Sequence, residues 1–178
     1  RPLPSLPGRI AVVTSPAGAA LRDFIGILQR RGWRGQLVIF PVRVQGSEAA
    51  GEIARAVKRA NELGGFDLLV LTRGGGSLED LWPFNEEIVA RAVAGSAIPT
   101  ISAIGHETDF ALCDFAADRR AETPSGAAET ISSDWIALKE RWDQAVLCFN
   151  RATSLATRET RQRLNLLKSQ LQRAGGIA

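Results

Sequence analysis

The first two thirds of the chain alternate between short, nearly unbroken apolar runs and longer stretches in which apolar residues recur every three or four positions. Runs 9–14 (RIAVVT), 36–44 (QLVIFPVRV), 67–72 (DLLVLT) and 99–104 (PTISAI) are rich in β-branched residues and lack polar alternation. That is the pattern of parallel strands buried on both faces. Between them, segments 17–31, 47–63 and 85–94 carry helical spacing. The alternation predicts a doubly wound α/β domain around a mainly parallel four-stranded sheet, in a flavodoxin-like order. Ser47 and Asn85 are placed to cap the second and third helices, which Gly64-Gly65 and Gly95 would close.

After Pro124 the period becomes purely helical. Trp135, Leu138, Trp142, Ala145, Phe149 and Ala152 form one apolar stripe, which Leu164, Leu167 and Leu171 resume, and no Gly or Pro interrupts residues 127–174. Such a helix would be roughly 70 Å long, too long to pack wholly on a domain of this size. The expected organisation is an α/β domain over residues 1–124 and a long helix over 125–178, whose far half meets another part of the chain or another subunit.

Composition narrows the class. At 178 residues, 45% hydrophobic and 23% charged, the chain can bury its own core. No apolar run approaches the ~20 residues that cross a bilayer, which predicts a soluble protein without a membrane partner. Met is absent, the chain opens on Arg1-Pro2-Leu3-Pro4 and it ends within a helical pattern, so it reads as a segment of a longer protein. Cys113 and Cys148 lie far apart with no second Cys or His beside either, which fits neither a zinc finger nor a disulfide scaffold and points to a reducing, cytoplasmic setting. Residues 151–178 hold six basic groups and one acid, a net of +5, whereas the first 150 hold 16 basic and 18 acidic groups, a net of −2. A basic helix on a near-neutral body suits a polyanion or is a solvated face.

In an open parallel sheet the functional crevice lies beyond the C-terminal strand ends. Here the first strand runs into Ser15-Pro16-Ala17-Gly18 and a helix bearing Asp23, the third into Arg73-Gly74-Gly75-Gly76-Ser77, and the fourth into Gly105-His106-Glu107-Thr108-Asp109. Ser15 and Gly18 open the backbone for an anion at a helix N-terminus, although no Walker lysine is present. Three consecutive glycines supply no packing and suit close approach to a ligand, with Arg73 able to fork two phosphate oxygens or to pair with Glu79 or Asp80. His106, the one histidine, stands three residues before Asp109, a spacing for an imidazole oriented by a carboxylate or for a helix-capping His. Asp23 either reaches the crevice or pairs with Arg22. Trp82 and Phe84 are base-stacking or core aromatics. A serine hydrolase using Ser15, Ser77 or Ser102 with His106 and Asp109 is a competing class that lacks a GxSxG elbow. A non-catalytic phosphate-binding or assembly module is another.

Four stretches, RIAVVTSPAGAALRDF, VRVQGSEAAGEIARA, LTRGGGSLEDLWPFNEE and SAIGHETDFALCDFAADRRAETPSGAAE, occur in order from about Pro7 to Glu129. Together they resemble the central domain of the exodeoxyribonuclease VII large subunit, and the helix after them resembles the start of that family's coiled coil. The resemblance implies hydrolysis of single-stranded DNA from both the 5′ and 3′ ends to give 5′-phosphates, by a large subunit assembled with several small subunits. It implies catalytic roles for Asp23, Arg73, His106 and Asp109, and it leaves the family's N-terminal OB-fold outside this sequence. The same family is unusual among nucleases in not clearly depending on a divalent ion. One His and scattered carboxylates can bind Mg²⁺ through waters, but no clustered set demands it.

Overall fold

The computed structural model describes residues 1–75, 78–105 and 110–174. Strands β1 (Arg9–Thr14), β2 (Gln36–Pro41), β3 (Leu68–Arg73), β4 (Thr100–Ile104) and β5 (Arg119–Arg120) form one all-parallel sheet in the order β2-β1-β3-β4-β5. The flavodoxin-like order is as expected from sequence, and the sheet has five strands rather than four. The extra strand is two arginines on the outer edge, paired with Ile101 and Ser102, and so short and polar an element carries no apolar signature.

Strand alternation divides the core into two layers. Ala11, Val13, Leu69, Leu71 and Ile104 face one side, where α2 (Ala49–Leu63), α3 (Leu78–Asn85), α4 (Glu87–Ala94) and α5 (Leu112–Ala116) cover them. Ile10, Val12, Leu68, Val70, Ile101 and Ala103 face the other, against α1 (Ala19–Arg30) and the first turns of α6 (Pro124–Ala174). Every residue of β3 is buried, as a central strand in a two-faced sheet requires. At the N-terminal strand edge, Asp67 Oδ2 accepts the backbone N–H groups of Gly8 and Arg9, each at 2.8 Å, and so fixes the β1–β3 register.

Punctuation matches the sequence pattern at some ends and not at others. Gly64, at φ +63°, closes α2, and Gly95 closes α4. The caps expected from Ser47 and Asn85 do not form: Glu48 and Glu86 occupy those N-cap positions without a side-chain bond. Asn85 instead ends α3, and its Oδ1 accepts the Leu112 N–H at 2.8 Å, capping α5 across 27 residues of chain. Strand β2 stops at Pro41, which has no N–H, and the ladder allows a proline there because β2 is an edge strand.

The chain forms two units, residues 1–136 and 137–178. In the first, Ala127, Ala128 and Ile131 of α6 are buried among Phe24, Leu28 and Val70, and Arg31 Nε donates to the buried Ser132 Oγ at 2.7 Å. The described residues of the second are helix alone, with Trp142, Phe149, Leu155, Leu164, Leu167 and Leu171 exposed. No helix among the described residues is long and apolar enough to cross a membrane. Because the packed turns of α6 lie before Ile136, ending the chain at Arg151 should leave the thermal transition of the α/β unit within a few degrees of its original value and reduce self-association. Calorimetry with sedimentation measures both, and a large drop in the transition temperature would show that the removed helix belongs to the α/β core.

Candidate active site

The strand order reverses between β1 and β3, since the chain leaves β1 for β2 on one side and takes up β3 on the other. The C-terminal ends of these two strands therefore flank the sheet's switch point. From β1 the chain passes through Ser15-Pro16-Ala17, where the Gly18 N–H donates to Ser15 O at 3.2 Å, and then enters α1. Gly18 is the extended N-cap, contributes no side-chain bond, and no acid occupies the first turn. The leading N–H groups of a twelve-residue helix are thus left uncapped by the N-cap side chain, with the positive end of its dipole behind them.

From β3 the chain passes through Arg73 and Gly74 into the same space. A Cβ on Gly74 would lie 3.4 Å from the Ala20 Cβ and 3.9 Å from the Ala20 nitrogen, so the β3 exit runs against the start of α1. Arg73 itself shares the face of Leu69 and Leu71 and is only 5% exposed. Its Nη2 pairs with Asp80 Oδ2 of α3 at 2.8 Å, while the buried Nη1 has no hydrogen-bond partner among the described residues. The pairing with Asp80 weighed from sequence is therefore real, and it uses only part of the guanidinium. A buried guanidinium nitrogen left unmatched is costly unless another acceptor enters.

Asp23 lies three residues after Ala20 on the exposed face of α1 and makes no ion pair with Arg22 or any other described residue. Ser15 and Gly18 are partly exposed at the switch point, and Gly75 is exposed. Gly76, Ser77, His106 and Asp109 lie outside the described residues. The structure thus brings together Ser15, Gly18, Arg73 and Gly74 at one edge and puts Asp23 one turn into the adjoining helix. Among the described residues no group of three or more His, Cys, Asp or Glu side chains is arranged to hold a metal.

Two side chains weighed from sequence fall into other roles. Phe84 is core, 1% exposed. Ser102 is fully buried and donates its hydroxyl to Asp114 Oδ1, which removes it as an accessible nucleophile. Burial pushes the neighbouring Cys113 thiol up to about 12, with the Asp114 carboxylate adding to the shift, so this cysteine is an inert core thiol. Sequence reasoning missed Asp114 altogether. Its position three residues after Ala111, whose N–H it accepts at 2.9 Å, is the N3 acid of a short helix, and that spacing was available to find it.

An open, all-parallel sheet in the order β2-β1-β3-β4-β5 with helices on both faces defines a domain of the doubly wound α/β class. The sequence profile described as "Exonuclease VII, large subunit" matches residues 1–177, and the chain belongs to that family. Proteins named exodeoxyribonuclease 7 large subunit are similar to it throughout. That of Halalkalibacterium halodurans is 51% identical over 94% of this chain and 37% of its own length, and that of Hahella chejuensis is 49% identical over 98% and 39%. The Lactiplantibacillus plantarum protein is 51% identical over 95% and 38%. This chain spans about two fifths of the length of these curated relatives. A solved structure of Drosophila Piwi overlaps 61% of this chain at a TM-score of 0.37 and 19% identity, too little shared geometry to carry an argument.

The Arg73–Asp80 pair is asymmetric: Asp80 is a third exposed and can be solvated alone, whereas Arg73 cannot. Asp80→Ala should therefore cost about 1–3 kcal/mol of stability, and Arg73→Leu less. Urea denaturation of both variants checks this, and the reverse order would contradict it.

Proposed function

We propose that this chain is the catalytic α/β segment of a nuclease large subunit that hydrolyses phosphodiester bonds of single-stranded DNA. In this reading it works inward from both 5′ and 3′ ends, releases 5′-phosphate products, acts in the cytoplasm and assembles with small subunits through the helical region. The observation that carries it is the buried Arg73, with an Nη1 unpartnered among the described residues, at the end of β3 and followed by Gly74, which runs against the start of α1. Arginine and backbone N–H groups are the donors that suit a phosphate, and both follow strands that flank the switch point.

Hydrolysis of a phosphodiester needs a positioned water, stabilisation of the charge that develops on phosphorus-bound oxygens, and a proton for the leaving oxygen. Arg73 and the N–H groups around Ala19, Ala20 and Gly74 supply the second, and a site whose donors are fixed before substrate arrives does so without reorganisation. The Asp80 carboxylate holds one edge of the Arg73 guanidinium and so orients the other. His106, oriented by Asp109, is assigned the proton transfers, at the leaving oxygen or at the attacking water. Asp23, on the exposed face of α1, either activates that water or helps hold a Mg²⁺ ion through water ligands, an ion that would supply further charge neutralisation. Gly76 and Ser77 complete the phosphate-facing loop in this assignment. The basic stretch beyond Arg151 supplies distributed, salt-sensitive attraction for the strand or a face for the small subunits.

The test uses full-length large subunit reconstituted with small subunits. Arg73→Ala and His106→Ala should each lower the rate on single-stranded DNA by about 10² to 10⁴, with affinity for the strand largely kept, since affinity is spread over many basic contacts. Rates with and without chelator, read on the same protein, assign the metal question. A loss of binding that matches the loss of rate would make Arg73 a docking residue, and full activity in either variant would overturn the assignment.

A further inference from the structure

Immediately after the GHETD run the chain places two phenylalanines in water. Phe110 is 55% exposed and Phe115 75%, yet their rings stack on one another, with centroids 5.8 Å apart and planes 25° apart. The guanidinium of Arg120 lies over the Phe110 ring, 4.0 Å from its centroid. Between the two rings the chain alternates sharply, because Ala111, Cys113 and Asp114 are buried. Asp114 is the anchor of this segment. Its carboxylate accepts the Ser102 hydroxyl of β4 and the Ala111 N–H, and lies 3.7 Å from Arg120 Nε. The rings are thus held on a support bonded into the sheet, and no core demand explains why they face outward.

We propose that Phe110 and Phe115 form a stacking platform that receives an unpaired nucleobase of the single-stranded DNA substrate; this rests on the function proposed above. The chemistry favours that occupant over an apolar protein surface. Arg120 covers one face of Phe110 and Phe115 stacks on that ring, so the outer face of the strongly exposed Phe115 is left for a base, and stacking of this kind tolerates any base. Another exposed aromatic of the α/β unit, Trp82, has the opposite setting. Its indole N–H donates to Glu86 Oε1 at 3.1 Å, and Glu79 and Glu86 line the same cleft, so a polyanion is repelled there. Of these two exposed aromatic sites, the Phe110–Phe115 pair has the Arg120 guanidinium against it where Trp82 has two glutamates.

The experiment uses the reconstituted full-length enzyme and an oligonucleotide carrying a single abasic residue moved along the strand. Phe115→Ala should raise KM for the intact strand by about 5- to 150-fold, a larger change than any in kcat. Phe115→Trp should restore KM, and Phe115→Leu should not. At one position the abasic residue should cost the wild type a similar factor and cost Phe115→Ala nothing further. An unchanged KM in Phe115→Ala, or full rescue by Leu, would overturn the platform. So would loss of small subunits from the Phe115→Ala complex on sedimentation, which would assign the rings to a protein partner. Wild-type cleavage of the intact strand is read first: its absence would overturn the nuclease reading, whereas its presence with an unaltered Phe115→Ala KM would overturn the platform alone.

Discussion

A guanidinium buried to the extent of Arg73 has to be compensated where it sits, and that constraint organises the C-terminal end of β3. It fixes the course of the chain beyond β3. The backbone passes beside the start of α1, where a Cβ on Gly74 would make ordinary contact with Ala20, and α3 begins soon enough to bring Asp80 to the guanidinium. Asp80 pairs with one nitrogen, and the buried Nη1 has no hydrogen-bond partner among the described residues.

The rest of the sheet serves this edge by being rigid. Fully buried β3 between β1 and β4 gives Arg73 a backbone that does not move, and carboxylates pin the strands at other points. Asp67 ties β1 to β3, and Asp118 joins β4 to the outer strand, accepting the Thr100 N–H at 2.8 Å and the Thr100 hydroxyl at 3.0 Å. Burial alone would raise the Asp118 carboxyl. The hydrogen bonds from the amino terminus, Arg1 and Thr100 outweigh it and hold Asp118 well below the usual carboxylate range. Asp114 does the same service for α5. Structural acids of this kind are bonded on several sides, whereas Asp23 is exposed and makes no ion pair with a described residue.

Much of this architecture is legible in sequence. Buried parallel strands announce themselves as continuous apolar runs, so the runs at β1, β3 and β4 match the observed strands to within a residue or two, and glycines mark the ends of α2 and α4. The illegible features depend on contacts distant in sequence. Asn85 looks like the cap of the helix after it, yet it caps α5, because the turn between α3 and α4 brings it to Leu112. Helix α3 carries Pro83 and mixed polarity, and β5 is two arginines, so neither has a periodic signal. At the site, the glycines and Arg73 are visible as chemistry without packing. The outward-facing rings are not, since Phe110 and Phe115 look like core residues until the burial of their neighbours is known.

The central claim is that the switch-point edge formed by Arg73, Gly74 and the start of α1 holds a phosphate of the substrate. Backbone and guanidinium NMR of the chain, titrated with a hydrolysis-resistant phosphorothioate single strand, tests this most directly. The account predicts that the amides of Ala19, Ala20, Leu21 and Gly74 and the Arg73 side-chain signals shift together and saturate at one concentration. Shifts confined to the opposite strand edge, around Gly8, Asp67 and Pro99, or to the basic helix alone, would contradict it.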